Sequence, residues 1–259
     1  KVAIVGCGAS GMATAFELSK LGFDVQVFEK ENHIGGRMAT AMLNDRSVCM
    51  GGKNIGKTYR EFRSFCSELG INDFEDFGLN TSSGQGNMAR TFDREKLFKS
   101  AIAYASGLSF KDIRRILPLI LAVKRNRRNA YFSGKYFKKF TKEKYEHETL
   151  SSYFSPILQR RLLRPLAVRN NGAEPDEIPI ANFGTNIAMV LDSYEQLRHG
   201  PNELFKRFSQ RVQVHTGKCV NDLWVENGSM RGIIIGDDRH AFDTVVLATP
   251  ANVSSRIVA

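Results

Sequence analysis

The chain is short of the residues that build a disulfide framework, a metal centre or a membrane span. Its four cysteines (Cys7, Cys49, Cys66 and Cys219) include no C-x-x-C pair, so neither a zinc knuckle nor a redox dithiol is expected, and a reducing compartment is. None of the five histidines belongs to a ligand-spaced cluster, so no metal site is predicted. No Gly-x-Ser-x-Gly elbow is present, which removes the usual signal for a serine hydrolase. No apolar run reaches the ~20 residues of a membrane-spanning helix. No signal peptide precedes the first apolar segment, which begins at residue 2. The absence of a starting Met suggests that residues precede Lys1. Repeats and low-complexity tracts are also missing. The expectation is a cytoplasmic globular protein.

What is present is a core-forming composition, 42% hydrophobic and 25% charged over 259 residues, enough for a large core or two domains. The formal net charge is +10, and residues 94–169 account for it, with 19 Lys or Arg against 5 acids. Aromatics interleave with these cations, as in Tyr131-Phe132 and Tyr136-Phe137-Lys138-Lys139-Phe140. Three readings of the segment stand. One is a helical domain with a solvated basic face. A second is peripheral contact with an anionic membrane surface. The third, nucleic-acid binding, lacks any recognised motif, so no nucleic-acid partner is expected.

The densest information lies in the first 37 residues. Val2 to Val5 is an apolar, β-branched run suited to a buried parallel strand. Gly6, Gly8 and Gly11 follow at G-x-G-x-x-G spacing. Gly6 permits the tight turn, Gly8 admits a pyrophosphate to the backbone, and Gly11 lets the next helix pack on the strand. Met12, Ala15, Phe16 and Leu18 recur at helical spacing up to Leu21-Gly22. The first turn of that helix offers free N–H groups and a positive dipole end to a phosphate. Phe23 to Phe28 predicts a second strand, and Glu29 at its end suits the hydroxyls of an adenosine ribose. A 2′-phosphate would be repelled there.

Gly11, Ala15, Leu18, Gly22, Val25, Val27 and Glu29, followed by Gly35-Gly36-Arg37-Met38 and Thr40, resemble the FAD-dependent amine oxidase superfamily. That group includes amine oxidases, protoporphyrinogen oxidases and phytoene-type desaturases. The resemblance implies FAD as cofactor, with Gly36 and Arg37 along the pyrophosphate and ribityl chain; Arg is a fixed fork of donors suited to phosphate. By the same resemblance Gly51-Gly52 passes close to the flavin ring. Cys49 stands where the family often has an acid, and Lys53 and Asn54 either face the flavin or point to solvent. Val220 matches the strand that meets the adenine, and Ala248-Thr249-Pro250 the loop near the phosphates. Glu148, Tyr153, Pro165-Leu166, Gly172, Pro175 and Glu177 resemble a stretch of the family's substrate domain, and His199-Gly200 its return to the cofactor domain.

The residues thus assigned to the cofactor are Gly6, Gly8, Ala9, Ser10, Gly11, Glu29, Lys30, Gly35, Gly36, Arg37, Met38, Gly51, Gly52, Lys53, Asn54, Val220, Ala248 and Thr249. No catalytic residue is assigned. The expected fold is α/β: a Rossmann-like FAD-binding domain with a parallel sheet and a β-meander, carrying an inserted, mainly helical substrate domain. The expected divisions are 1–80, 81–198 and 199–259. The family normally continues past Ala259, so the chain is read as a fragment or as one of two chains completing the site.

The resemblance implies a flavin-dependent oxidoreductase that takes a hydride from an apolar or amine substrate at flavin N5. It is desaturase-like or porphyrinogen-oxidase-like, with an amine oxidase as alternative. A non-catalytic flavin-binding subunit and a plain NAD-dependent dehydrogenase are further alternatives, the last opposed by Gly35-Gly36-Arg37.

Along the rest of the chain, Thr40 to Met50 predicts a hairpin turning at Asn44-Asp45-Arg46, Thr58 to Leu69 an amphipathic helix, and Thr81 to Gly86 a loop. Lys96 to Tyr104 predicts a helix. Ser109 predicts the N-cap of another, with Asp112 at N3, which Pro118 should kink or split. Asn227-Gly228 predicts a type I′ hairpin turn.

Overall fold

The computed structural model describes residues 1–76, 81–85, 88–92, 96, 99–100, 102, 108–130, 136–142 and 147–258. Its contacts divide the chain into two compact units, Lys1–Phe77 with Glu195–Ala259, and Gly78–Tyr194.

The first unit begins with strand β1 (Val2–Val5), helix α1 (Ala9–Lys20) and strand β2 (Val25–Phe28). All four residues of β1 are buried. Val2 and Ile4 join one apolar cluster with Met12, Phe16 and Phe65, while Ala3 and Val5 join another with Phe28, Ile233 and Phe242. Alternate side chains thus enter opposite faces, and both faces are covered. That is why the strand reads as an unbroken apolar run. A hairpin follows, β3 (Thr40–Leu43) and β4 (Arg46–Cys49), with Asn44 at φ 48° in its turn. Then come β5 (Ile55–Gly56), α2 (Arg60–Glu68) and β6 (Phe74–Asp76). Helix α2 ends at Gly70 (φ +76°), a left-handed position that glycine takes without strain.

In the second unit, β7 (Thr81–Gln85) pairs antiparallel with β8 (Met88–Phe92). The expected loop at Thr81 to Gly86 is therefore a strand over its described residues. A ladder is built from backbone groups, so a polar Ser/Thr run pairs readily when its partner returns after a two-residue connection. The predicted helix over Lys96 to Tyr104 lies largely outside the described residues, as do Tyr131 and Phe132. Helix α3 (Phe110–Arg125) starts at the predicted cap, where the Ser109 Oγ accepts from the Asp112 N–H at 3.1 Å. It runs through Pro118 without splitting. Pro118 is exposed, so the hydrogen bond it removes is lost where water can replace it. Leu119, Ala122 and Val123 hold the buried face. After short turns at Leu150–Tyr153 and Pro156–Leu158 come α4 (Arg164–Asn171) and α5 (Phe183–Leu191). Phe137, Leu150, Leu158, Leu163, Ile180 and Phe183 form the core they share.

The chain returns to the first unit through β9 (Tyr194–Leu197), which lies between β5 and β6. Helix α6 (Asn202–Ser209) and strand β10 (Gln213–His215) follow. The antiparallel meander is β11 (Val220–Glu226), β12 (Ser229–Ile235) and β13 (Asp238–Ala241), with Asn227 at φ 52° and Gly228 at φ 74° in the predicted I′ turn. Strand β14 (Thr244–Leu247) and helix α7 (Ala251–Ile257) close the unit. The parallel sheet has the order β10-β2-β1-β14. The fold is the expected α/β arrangement of parallel sheet and meander.

One carboxylate organises the start of α3. Asp112 is 1% exposed. Its Oδ1 accepts from the Ser155 N–H at 2.9 Å, and its Oδ2 from the hydroxyls of Ser155 at 2.5 Å and Ser109 at 2.8 Å. Burial works to raise its pKa, but the hydrogen bonds from Ser155 and Ser109 together outweigh it and hold the group below the usual carboxylate range. A depressed folded-state pKa stabilises above the unfolded value and is lost as pH falls through the folded one. Asp112→Ala should therefore lower the unfolding free energy by about 2–3 kcal/mol at neutral pH. The gap to the parent protein should narrow below about pH 4. Denaturant melts at both pH values check this.

Candidate functional site

At the carboxyl ends of the parallel strands several loops meet, mostly through backbone. Helix α1 begins at Gly8 with no side-chain cap, and Ala9 and Ser10 in its first turn are exposed. The free N–H groups of that turn therefore open outward, with the positive end of the helix dipole. Gly35 donates to the Cys7 carbonyl at 2.8 Å, and Gly8 and Gly35 form a parallel bridge. The second glycine pair is thereby laid beside the first loop. A Cβ on Gly36 would lie 3.1 Å from the Gly8 Cα, and one on Gly11 only 1.9 Å from the Gly6 oxygen. A Cβ on Gly8 would meet nothing nearer than the Gly36 Cα at 4.0 Å, so a side chain there has clearance.

Glu29 closes one end. It is 7% exposed. Its Oε2 accepts from the Cys7 N–H at 2.8 Å and its Oε1 from the Glu31 N–H at 3.0 Å. Its carbonyl takes the Lys218 N–H at 2.8 Å, which draws the segment before Val220 to the end of β2. Val220 is buried in the same cluster as Phe28. On the other side Ala248 donates to the Val5 carbonyl at 2.9 Å and lies against Gly6, and the Thr249 hydroxyl pairs with that of Ser254 at 2.7 Å. Burial first, and the charge of Glu29 second, push the Cys7 thiol up to about 12. It stays protonated and serves as a small buried residue.

The structure thus brings Gly6, Gly8, Ala9, Ser10, Gly11, Glu29, Gly35, Gly36, Ala248 and Thr249 together at the carboxyl ends of the parallel strands, with Val220 buried beside Phe28. Lys30 is exposed and pairs with Glu31 at 3.2 Å. Arg37 is exposed. Gly51-Gly52 packs on its backbone: Gly52 donates to the Arg37 carbonyl at 2.9 Å, and a Cβ on Gly51 would stand 2.1 Å from that oxygen. Met38, Gly52 and Lys53 line a separate cavity of about 480 Å³ with Thr40, Cys49 and residues 196–201; Asn54 is not among its walls. Asn202 ties this wall together. It accepts from the Thr40 hydroxyl at 2.7 Å and donates to the Ser47 hydroxyl at 3.1 Å. Nothing in the sequence signals this link, whose partners lie more than 150 residues apart. A second tie is Glu195, which pairs with Arg63 at 2.5 Å and Lys57 at 3.3 Å. Hydrogen bonding to Arg63 leads the effects that hold its carboxyl below the usual range. Among the described residues no cluster of His, Cys, Asp or Glu could hold a metal.

A glycine cradle at an open helix start, with a buried acid at the end of the next strand, defines a dinucleotide-binding protein of the Rossmann type. The model of one family, the flavin-containing amine oxidoreductases, matches residues 9–258. The chain belongs to that family. It is 31% identical over 80 residues to protoporphyrinogen oxidase 2 of Arabidopsis thaliana, covering 31% of this chain and 16% of that protein. It is 45% identical over 79 residues to a 4,4′-diapophytoene desaturase of Staphylococcus aureus, covering 30% and 15%. The fold is similar to that of cyclohexylamine oxidase from Brevibacterium oxydans, with a TM-score of 0.73 at 17% identity over 100% of this chain and 59% of that one. The chain therefore spans about three fifths of such a solved relative.

FAD is the cofactor of such a family, and the residues present fit it. The uncapped helix start would offer its amides to a pyrophosphate, Gly8 leaves clearance for one, and the Glu29 carboxylate is of the kind that accepts from ribose hydroxyls. Gly8→Val should leave the melting temperature near that of the parent while weakening FAD binding about tenfold or more. Gly11→Val should instead unfold the protein at lower temperature, by roughly 1–3 kcal/mol. Calorimetric melts and FAD titrations of both variants separate the two effects.

Proposed function

We propose that the protein is an FAD-dependent oxidoreductase acting on an apolar or amine substrate, with FAD held in the cleft between Gly6–Gly11, Glu29 and Gly35–Gly36. The observation that carries this reading is the uncapped start of α1 facing a second glycine pair, with Glu29 buried at the neighbouring strand end. FAD supplies a two-electron acceptor at its flavin N5. The chain's own residues bind and orient it. The α1 amides and Arg37 neutralise the pyrophosphate. Glu29 accepts from the ribose hydroxyls. Val220 and the Ala248-Thr249 loop flank the nucleotide half. The 480 Å³ cavity beside Met38 and Gly52 supports a place for the ring or the substrate.

Relatives that are desaturases and porphyrinogen oxidases support an apolar substrate, and the fold of cyclohexylamine oxidase keeps an amine in view. Glu29→Gln should weaken FAD about tenfold or more, through lost charge-assisted hydrogen bonds, and leave FMN binding unchanged, since FMN has no adenosine ribose. Equal losses for both flavins would sink the assignment of Glu29. Anaerobic bleaching of the bound flavin by amines against polyenes and porphyrinogens then selects the substrate class.

Contact of the basic segment 94–169 with an anionic membrane surface belongs to the same reading. Phe110, Ile113, Leu117 and Leu121 are exposed on α3, and their spacing places them along one side of the helix, beside Lys111 and Arg114. Among the described residues no helix is long and apolar enough to cross a membrane, so this contact would be peripheral. Leu117→Glu should abolish co-sedimentation with phosphatidylglycerol-containing vesicles, and undiminished sedimentation of the variant would refute the contact.

A further inference from the structure

The second unit holds a cavity of about 400 Å³ whose charge is almost all of one sign. Lys111, Arg114 and Arg115 enter it from the first two turns of α3, and Lys139 enters from the turn Phe137–Thr141. Tyr136 and Tyr153 supply flat walls. No carboxylate lines it among the described residues. The nearby acid Asp112 is turned into the interior and is spent on Ser109 and Ser155.

Two of the cations are held by aromatic rings, and no carboxylate pairs with them among the described residues. The Lys139 Nζ sits 3.8 Å from the centre of the Tyr136 ring and 4.8 Å from that of Phe140. The Arg115 guanidinium lies 4.6 Å from the centre of the Tyr153 ring and donates to the Tyr153 carbonyl. An aromatic face attracts a cation through its quadrupole but carries no net charge to cancel it. Lys111 and Arg115 are also one helical turn apart, an i,i+4 like-charge pair that weakens the helix slightly. Four positive groups drawn from two elements thus converge on one space, two of them fixed by rings, with their charge uncompensated by the described lining.

We propose that this cavity binds the phosphate group of a small phosphate ester. A single carboxylate would balance only one of the four cations, whereas a phosphate monoester brings close to two charges and a tetrahedral set of acceptors that the Arg forks match. The volume exceeds a bare phosphate many times over, since one water occupies about 30 Å³. The remainder of the ligand is an organic body that lies on the tyrosine faces. A soluble phosphate ester and the headgroup of an anionic lipid share this chemistry, and the exposed apolar row of α3 borders the same cations. All the lining residues belong to the unit Gly78–Tyr194, so the site does not rest on the flavin reading.

The test uses the full chain with saturating FAD present, which occupies the dinucleotide cleft if that reading holds. Phenyl phosphate, inorganic phosphate and benzoate are titrated at constant ionic strength. Phosphatidylcholine vesicles with and without phosphatidic acid form the lipid arm. Phenyl phosphate should bind more tightly than inorganic phosphate and far more tightly than benzoate. The double variant Lys111→Glu/Lys139→Glu should weaken it about tenfold or more, with an unchanged circular dichroism spectrum. Arg256→Glu, which changes an exposed cation on α7, should bind as the parent does. Vesicle binding that phenyl phosphate displaces, and that the double variant loses, identifies the lipid headgroup as the source. Phenyl phosphate binding without vesicle binding identifies a soluble ester. The proposal is overturned if the double variant binds phenyl phosphate as the parent does, if Arg256→Glu loses as much, if benzoate binds equally well, or if neither arm shows binding.

Discussion

The cleft of this protein depends on the approach of one helix to one strand. Gly11 brings α1 so close to β1 that a Cβ would overlap the Gly6 oxygen at 1.9 Å. That contact directs the first turn of α1 at the space in front of Gly8 and leaves its amides unfilled. Glu29 then fixes the neighbouring strand to the same loop. Its side chain takes the Cys7 and Glu31 amides, and its backbone binds His215 and Lys218 at 2.9 and 2.8 Å. One residue therefore joins the ends of β1, β2 and the returning strand β10, and its carboxylate is buried at that junction. Gly6 and Gly11 are hemmed in by neighbouring atoms, whereas Gly8 has clearance for a side chain, so a substitution there separates folding from the proposed binding role.

The second unit is organised by a different kind of polar group. Asp112 is a buried anion whose partners are hydroxyls and an amide rather than a cation, so it does not serve as counter-charge to the neighbouring Lys and Arg side chains. Among the described residues, aromatic rings rather than carboxylates position Arg115 and Lys139. Within a segment of 19 basic residues and 5 acids, Lys111, Arg114 and Arg115 of α3 meet Lys139 at one exposed place outside the apolar core.

The first unit was legible because its signals are local. The β-branched run at Val2, the glycine spacing and Glu29 each specify their own conformation, and Asn227-Gly228 names its turn. The Ser109 cap was legible for the same reason. The run Thr81 to Gln85 was not, because nothing within it announces a partner strand, and pairing with Met88–Phe92 is a property of two segments. Pro118 was overweighted: its penalty is set by where on the helix it falls, and an exposed position lets water replace the missing bond. Contacts between distant residues, such as Thr40 and Asn202 or Arg63 and Glu195, left no trace in the pattern. The glycine pair Gly51-Gly52 was found through resemblance, yet its close packing on the Arg37 carbonyl is a reason that only the folded backbone shows.

In the proposed function, loops separated by more than 200 residues meet around one FAD. Hydrogen exchange read by mass spectrometry, with and without FAD, tests it most directly. Bound FAD should slow exchange in peptides covering residues 6–12, 29–37, 217–220 and 248–250, with α3 unaffected. Protection confined to other segments, or none on adding FAD, would contradict it.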